Sequence, residues 1–98
     1  MATVVDRSTA ESTVTMRYWA SARAAAGTDC DALDVPGPVS LAELMARIRA
    51  AHDSRRFSEV LSCCSVMVGD RPVTTEDPAA VMVEPGATVE FLPPFAGG

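Results

Sequence analysis

A pair of prolines, Pro93-Pro94, stands directly after an apolar run, and no other feature limits the fold of this chain as sharply. Neither proline has a backbone N–H and both hold φ at about −65°, so neither can extend a paired strand or enter a helix. Pro94 also drives Pro93 toward the extended region. The preceding stretch, Ala87 to Leu92, alternates with the period of a strand. The last strand must therefore stop at Leu92, and the chain is expected to leave the fold at 93–98 as a semi-rigid stalk. The stalk continues Phe95-Ala96-Gly97-Gly98. Ala96 and the two glycines carry almost no side chain, so they can thread a channel that larger residues would block, and glycine also accepts backbone angles closed to other residues. Such an end is expected to offer a partner one free α-carboxylate on a thin arm.

Upstream, the periodicities alternate between strand and helix. Residues 1–12 are small and polar without a sustained pattern and read as a disordered lead-in to a domain over 13–92. Thr13 to Trp19 alternates with period two. Val14, Met16 and Tyr18 share the face expected to meet the core, and Thr15, Arg17 and Trp19 share the other. Ala20 to Ala26 is a short helix former with a stop at Gly27, and Asp29 to Val35 returns as a strand with Cys30 as a filler. Pro36-Gly37-Pro38 is a turn. Ser40 and Glu43 fit a capping box at the start of the principal helix. Leu41, Leu44, Met45 and Ile48 then follow the i, i+3, i+4, i+7 rule, which makes them a core stripe rather than a cofactor site, with Arg47 and Arg49 left in water. The helix should fade near Ala51, with His52 as a solvated end residue.

Phe57, Val60 and Leu61 suggest a further short helical segment. Ser65 to Val68 reads as a strand turning at Gly69-Asp70, and Pro72 confines the return to a sheet edge. Val81 to Val83 is a short apolar run, and Glu84-Pro85-Gly86 turns into the last strand. The order gives an α+β fold, a mixed sheet with one principal helix across one face.

Composition removes several function classes. With 98 residues, 48% of them hydrophobic, the chain can bury one modest core, so the body is not disordered. A net charge of −5 argues against nucleic-acid binding. No apolar run is long enough to span a membrane, and the N-terminal residues lack the apolar centre of a signal peptide. The three cysteines, Cys30, Cys63 and Cys64, imply no disulfide framework, and with His52 as the one histidine they support no metal site. Adjacent Cys63 and Cys64 could bridge only under strain and read as buried filler rather than a redox site. A reduced, cytoplasmic domain is expected. Nothing resembles a catalytic triad, a metal cluster or a phosphate loop.

The end Phe91-Leu92-Pro93-Pro94-Phe95-Ala96-Gly97-Gly98 resembles that of the MoaD-type sulfur carriers, the small subunits of molybdopterin synthase. It is more distantly similar to the Gly-Gly tails of ubiquitin-like proteins and of the thiamine sulfur carrier. The resemblance covers roughly residues 13 to 98, and Arg23 and Gly27 match an arginine, small-residue stretch and glycine of the family. It implies a β-grasp, ubiquitin-like topology with the first and last strands parallel at mid-sheet.

The resemblance also implies a mechanism. An E1-like adenylating and sulfurtransferase partner spends ATP to turn Gly98 into an acyl-adenylate and then a thiocarboxylate. The large synthase subunit takes the tail, Phe95 to Gly98, and uses its sulfur to build molybdopterin. The chain itself is then a non-catalytic subunit with no bound cofactor. Under that topology the strand period sets Trp19 and Leu92 side by side on the face away from the helix, flanking Pro93 and Pro94. These residues, with Arg23, are the expected partner contacts, and exposed aromatic clusters commonly mark such sites. Three rival readings stand beside this one: a carrier for cysteine or thiamine synthesis, a modifier joined to lysines by isopeptide bonds, and a plain binding module.

Overall fold

The computed structural model describes residues 12–94. The elements are β1 (Thr13–Tyr18), α1 (Ala20–Ala26), β2 (Cys30–Asp34), β3 (Val39–Ser40), α2 (Leu41–Ala51), α3 (Arg55–Cys63), β4 (Ser65–Val68), β5 (Arg71–Pro72), β6 (Met82–Val83) and β7 (Thr88–Leu92). Five strands form one mixed sheet in the order β2-β1-β7-β4-β5. The first and last strands lie parallel at its centre, with Met16 level with Val89 and Tyr18 level with Phe91. The pairs β1–β2, β4–β7 and β4–β5 are antiparallel. This is the α+β, β-grasp arrangement. Pro72 sits in β5 at the sheet edge, where a missing N–H costs no ladder bond.

The alternation of β1 and β7 decides which face is dry. Val14, Met16, Tyr18, Val89 and Phe91 are buried against the helices, joined by Val66 of β4. Leu41, Leu44 and Ile48 of α2 and Phe57 and Leu61 of α3 close the same core, each stabilising it by about 1.5–3 kcal/mol. The starts of α2 and α3 are fixed by serine caps. The Ser40 hydroxyl accepts from the Glu43 N–H at 3.1 Å, and the Ser54 hydroxyl accepts from the Phe57 N–H at 3.2 Å. Gly27 ends α1 in the left-handed region at φ +77°, and its N–H donates to the Arg23 carbonyl at 2.9 Å.

Several expectations need correcting. Val39–Ser40 is a strand that pairs with β6 in a separate two-stranded sheet, where a direct turn into the helix was expected. Two residues are too short for a period to declare itself. Arg47 and Arg49 are half-buried: Arg47 donates to the Asp34 carbonyl at 2.8 Å and Arg49 to the Ser62 hydroxyl at 3.3 Å. Their apolar stems lie along the surface while the charged heads find polar partners. Cys30 and Cys63 are exposed, and Cys64 alone is buried filler.

His52 is not a solvated end residue. Its Nε2 meets Asp31 Oδ2 at 2.5 Å, and the Tyr18 hydroxyl donates to the same oxygen at 2.7 Å. The His52 ring lies 4.9 Å from Phe57 and 5.8 Å from Tyr18, edge-on to the latter. Burial, the hydrogen bond to Asp31 and that carboxylate's charge hold the Tyr18 phenol well above its usual range. The cluster ties β1 and β2 to the end of α2. Among the described residues no helix is long and apolar enough to cross a membrane.

Candidate functional site: the root of the C-terminal tail

Parallel pairing brings the C-terminal ends of β1 and β7 together. The ladder runs one residue beyond β1, because the Trp19 N–H donates to the Phe91 carbonyl at 3.2 Å. Trp19 keeps an extended backbone, with φ −118° and ψ 152°, so its side chain falls on the face opposite Tyr18. Leu92 is opposite Phe91 by the same alternation. The step after Tyr18–Phe91 sets Trp19 level with Leu92. They are 39% and 36% exposed, whereas their neighbours Tyr18 and Phe91 are buried. Of the exposed large apolar residues described, the third, Met82, belongs to the small sheet.

The turn after Trp19 is tight. Ala20 has φ +49°, a left-handed conformation that costs a non-glycine residue about 1–2 kcal/mol. The Trp19 carbonyl accepts from the Ala22 N–H at 2.9 Å, which starts α1 at once. The Arg17 guanidinium lies 4.9 Å from the Trp19 ring centroid, a cation–π contact worth about 0.5–1 kcal/mol at an exposed site. Glu90 is level with Arg17 in the register. The open face beside the tail root is thus an apolar pair with one charge of each sign behind it.

The other side of the root is a cleft. Pro93 is half-buried and Pro94 exposed, and both line a space of about 300 Å³ with Ser21 of α1 and Glu59, Val60 and Cys63 of α3. Glu59 and Cys63 reach it together because they are four apart on one helix. This helical spacing was legible in the sequence; what it faced was not. A larger cleft of about 350 Å³ lies between α2, α3 and the 73–78 loop and shares no lining residue with the first. Its Glu76 is already paired with Arg71 at 2.9 Å.

Arg23, expected among the partner contacts, lies in the last turn of α1, where a cation suits the helix dipole, and pairs with Asp29 at 3.5 Å. Phe95, Ala96, Gly97 and Gly98 lie outside the described residues, as does the lead-in up to residue 11. Ser12 is described: its carbonyl accepts from the Val35 N–H at 2.7 Å. Cys64 is pushed up to about 11 by burial and by the neighbouring Cys63, which makes it a poor nucleophile. Among the described residues no group of three His, Cys, Asp or Glu side chains could hold a metal ion.

No family model matches the chain. It is 31% identical over 86 residues to the molybdopterin synthase sulfur carrier subunit of Aspergillus niger, an alignment covering 88% of this chain and 94% of that protein. Its fold is similar to that of the small archaeal modifier protein 1 of Haloferax volcanii, with a TM-score of 0.70 at 17% identity over 88% of this chain and 99% of that one. It is also similar to a chain in the complex of subunits 1 and 2 of the molybdopterin-converting factor of Helicobacter pylori, with a TM-score of 0.59 at 20% identity over 88% and 99%.

Proposed function

The chain belongs to the family of molybdopterin synthase sulfur carrier subunits, and from that premise we propose that it carries sulfur as a thiocarboxylate on Gly98 and delivers it inside a synthase complex. The observation that carries the reading is the parallel β1–β7 pair, which sets Trp19 and Leu92 at the root of a Pro-Pro-Phe-Ala-Gly-Gly tail. A three- or four-residue thread buries too little surface to hold a complex by itself. The body of the domain must bind as well, and an aromatic–aliphatic pair next to the stalk is suited to that.

A carboxylate cannot be attacked directly, because its leaving group would be oxide. The Gly98 carboxylate oxygen first attacks the α-phosphorus of ATP on an adenylating partner, and pyrophosphate leaves. A persulfide sulfur of that partner, or of a sulfur donor bound to it, then attacks the acyl carbon and AMP leaves. Cleavage of the S–S bond by a second thiol frees the thiocarboxylate. The large synthase subunit takes the tail and transfers the sulfur to its substrate. The chain supplies a positioned sulfur and no catalytic side chain. On this reading it works in the cytoplasm, where ATP and reduced thiols are present, in keeping with free thiols at Cys30 and Cys63.

The test is a transfer assay in which thiocarboxylated chain is mixed with the large subunit and the cyclic precursor of molybdopterin. Full-length chain should yield product, and chain lacking Gly98 should yield none. Equal product from both would remove Gly98 from the reaction.

A further inference from the structure

Arginine supplies all eight basic residues of this chain; the 98 residues contain no lysine. Two of these arginines lie at the start of α3, the helix whose later turns line the tail-root cleft. Arg55, Glu59 and Cys63 follow i, i+4, i+8 along α3, and Arg56 precedes Val60 by four, so both arginines extend the helix face that lines the tail-root cleft. Arg55 Nε lies 3.9 Å from Glu59 Oε2, and both arginines are exposed. From Arg55 to Cys63 the helix rises about 12 Å. The residues after Pro94 can span up to about 14 Å when fully extended. A side chain at position 55 or 56 is therefore within range of the chain's own C-terminal carboxyl.

We propose that arginine at these two positions decides which nucleophile receives the activated C-terminus: the chain withholds it from its own side chains and leaves it for sulfur. The proposal rests on the reading that Gly98 is activated. An acyl-adenylate or thioester is open to any neutral amine. The nitrogen lone pair attacks the acyl carbon, a C–N bond forms, the bond to the leaving group breaks and takes its electron pair, and the nitrogen sheds a proton to water. The product is an amide, which no thiol can reopen.

A lysine of ordinary pKa has about one amine in a thousand unprotonated near neutral pH. Tethering within reach raises its effective concentration by several orders of magnitude. A guanidinium stays protonated and delocalised, so arginine keeps the positive charge beside Glu59 without offering a lone pair.

Cys63, the strongest nucleophile lining the cleft, has a different consequence. Its thiolate would exchange one thioester for another, and free thiol reverses the exchange, so activation is kept. The same composition bears on a second copy: no side-chain amine of this chain can accept another chain's C-terminus, so it cannot build isopeptide-linked chains of itself.

The experiment uses the full chain bearing a thioester at Gly98, made by thiolysis of an intein fusion. No adenylating enzyme is involved, so a failure of enzymatic loading is seen separately. After incubation at mildly alkaline pH, hydroxylamine cleaves thioesters and spares amides, and intact mass reads what remains. Wild type should leave no resistant species linked through a side chain, whether a product one water lighter than the free acid or a covalent dimer; amide formed at the α-amine, of lower pKa, is told apart by peptide mapping. Arg55→Lys/Arg56→Lys should accumulate such a species to at least about 10-fold above wild type, with the linkage mapped to position 55 or 56. Singly substituted Arg56→Lys carries the test if the double variant folds poorly. A resistant product from wild type mapped to any side chain, or none at position 55 or 56 from the lysine variants, overturns the proposal.

Discussion

Trp19 and Leu92 are exposed although the residue before each in the chain is buried, so their loss should separate binding from folding. Trp19→Ala and Leu92→Ala should each weaken binding to a large synthase subunit by roughly 30-fold, equivalent to about 2 kcal/mol. Trp19→Ala also removes the Arg17 stack, worth about 0.5–1 kcal/mol, together with the covered part of the ring, and both add to its effect on stability. Affinity and denaturant unfolding measured on the same variants decide the matter; normal binding by either would remove that side chain from the contact. Cys64 and Tyr18 make a second prediction. Both have folded pKa values raised above their unfolded ones, so their contribution to stability is full below the unfolded values and is lost as pH rises. For Cys64 the loss runs from pH 9.0 to about 11, and for Tyr18 it begins near pH 10.0. Cys64→Ala should flatten the fall in unfolding free energy between pH 9.0 and 11, and a fall as steep as in wild type would place the linkage elsewhere. The Tyr18–Asp31–His52 cluster could not be read from the chain, because its members lie 13 and 21 residues apart. Only the register of β1 on β2 and the end point of α2 bring them together.

Long periodic elements were readable. The stripe Leu41, Leu44, Ile48 and the alternation of β1 and β7 carry their own period, and the structure buries those residues. β3 and β6 have two residues each and carry none, so the small sheet was invisible. The left-handed turn at Ala20 was equally hidden, since alanine there reads as ordinary helix. For the tail-root cleft, the spacing of Glu59 and Cys63 was visible, but not that Pro93 and Pro94 would lie against them. Leu44 tests the element scale. It is fully buried on α2, so Leu44→Ala should cost about 2–5 kcal/mol in urea unfolding through lost burial and the cavity left behind. A cost below about 0.5 kcal/mol would mean that this helix face does not hold the core.

At the scale of the whole molecule, the account joins a rigid β-grasp body to a tail whose last atoms do the chemistry. In that reading the body contributes the Trp19–Leu92 face, held at the ends of the central parallel strands where the tail begins. On the proposed reading, the chemistry comes from partners that activate and use Gly98. The most direct measurement is the intact mass of the chain after incubation with an adenylating enzyme, ATP and a sulfur source, beside the chain with Gly98 deleted. The account predicts that full-length chain alone gains the difference between one sulfur and one oxygen atom, with the change confined to the C-terminal peptide. The same gain in the deleted chain, or a gain mapped to Cys30 or Cys63, would contradict it.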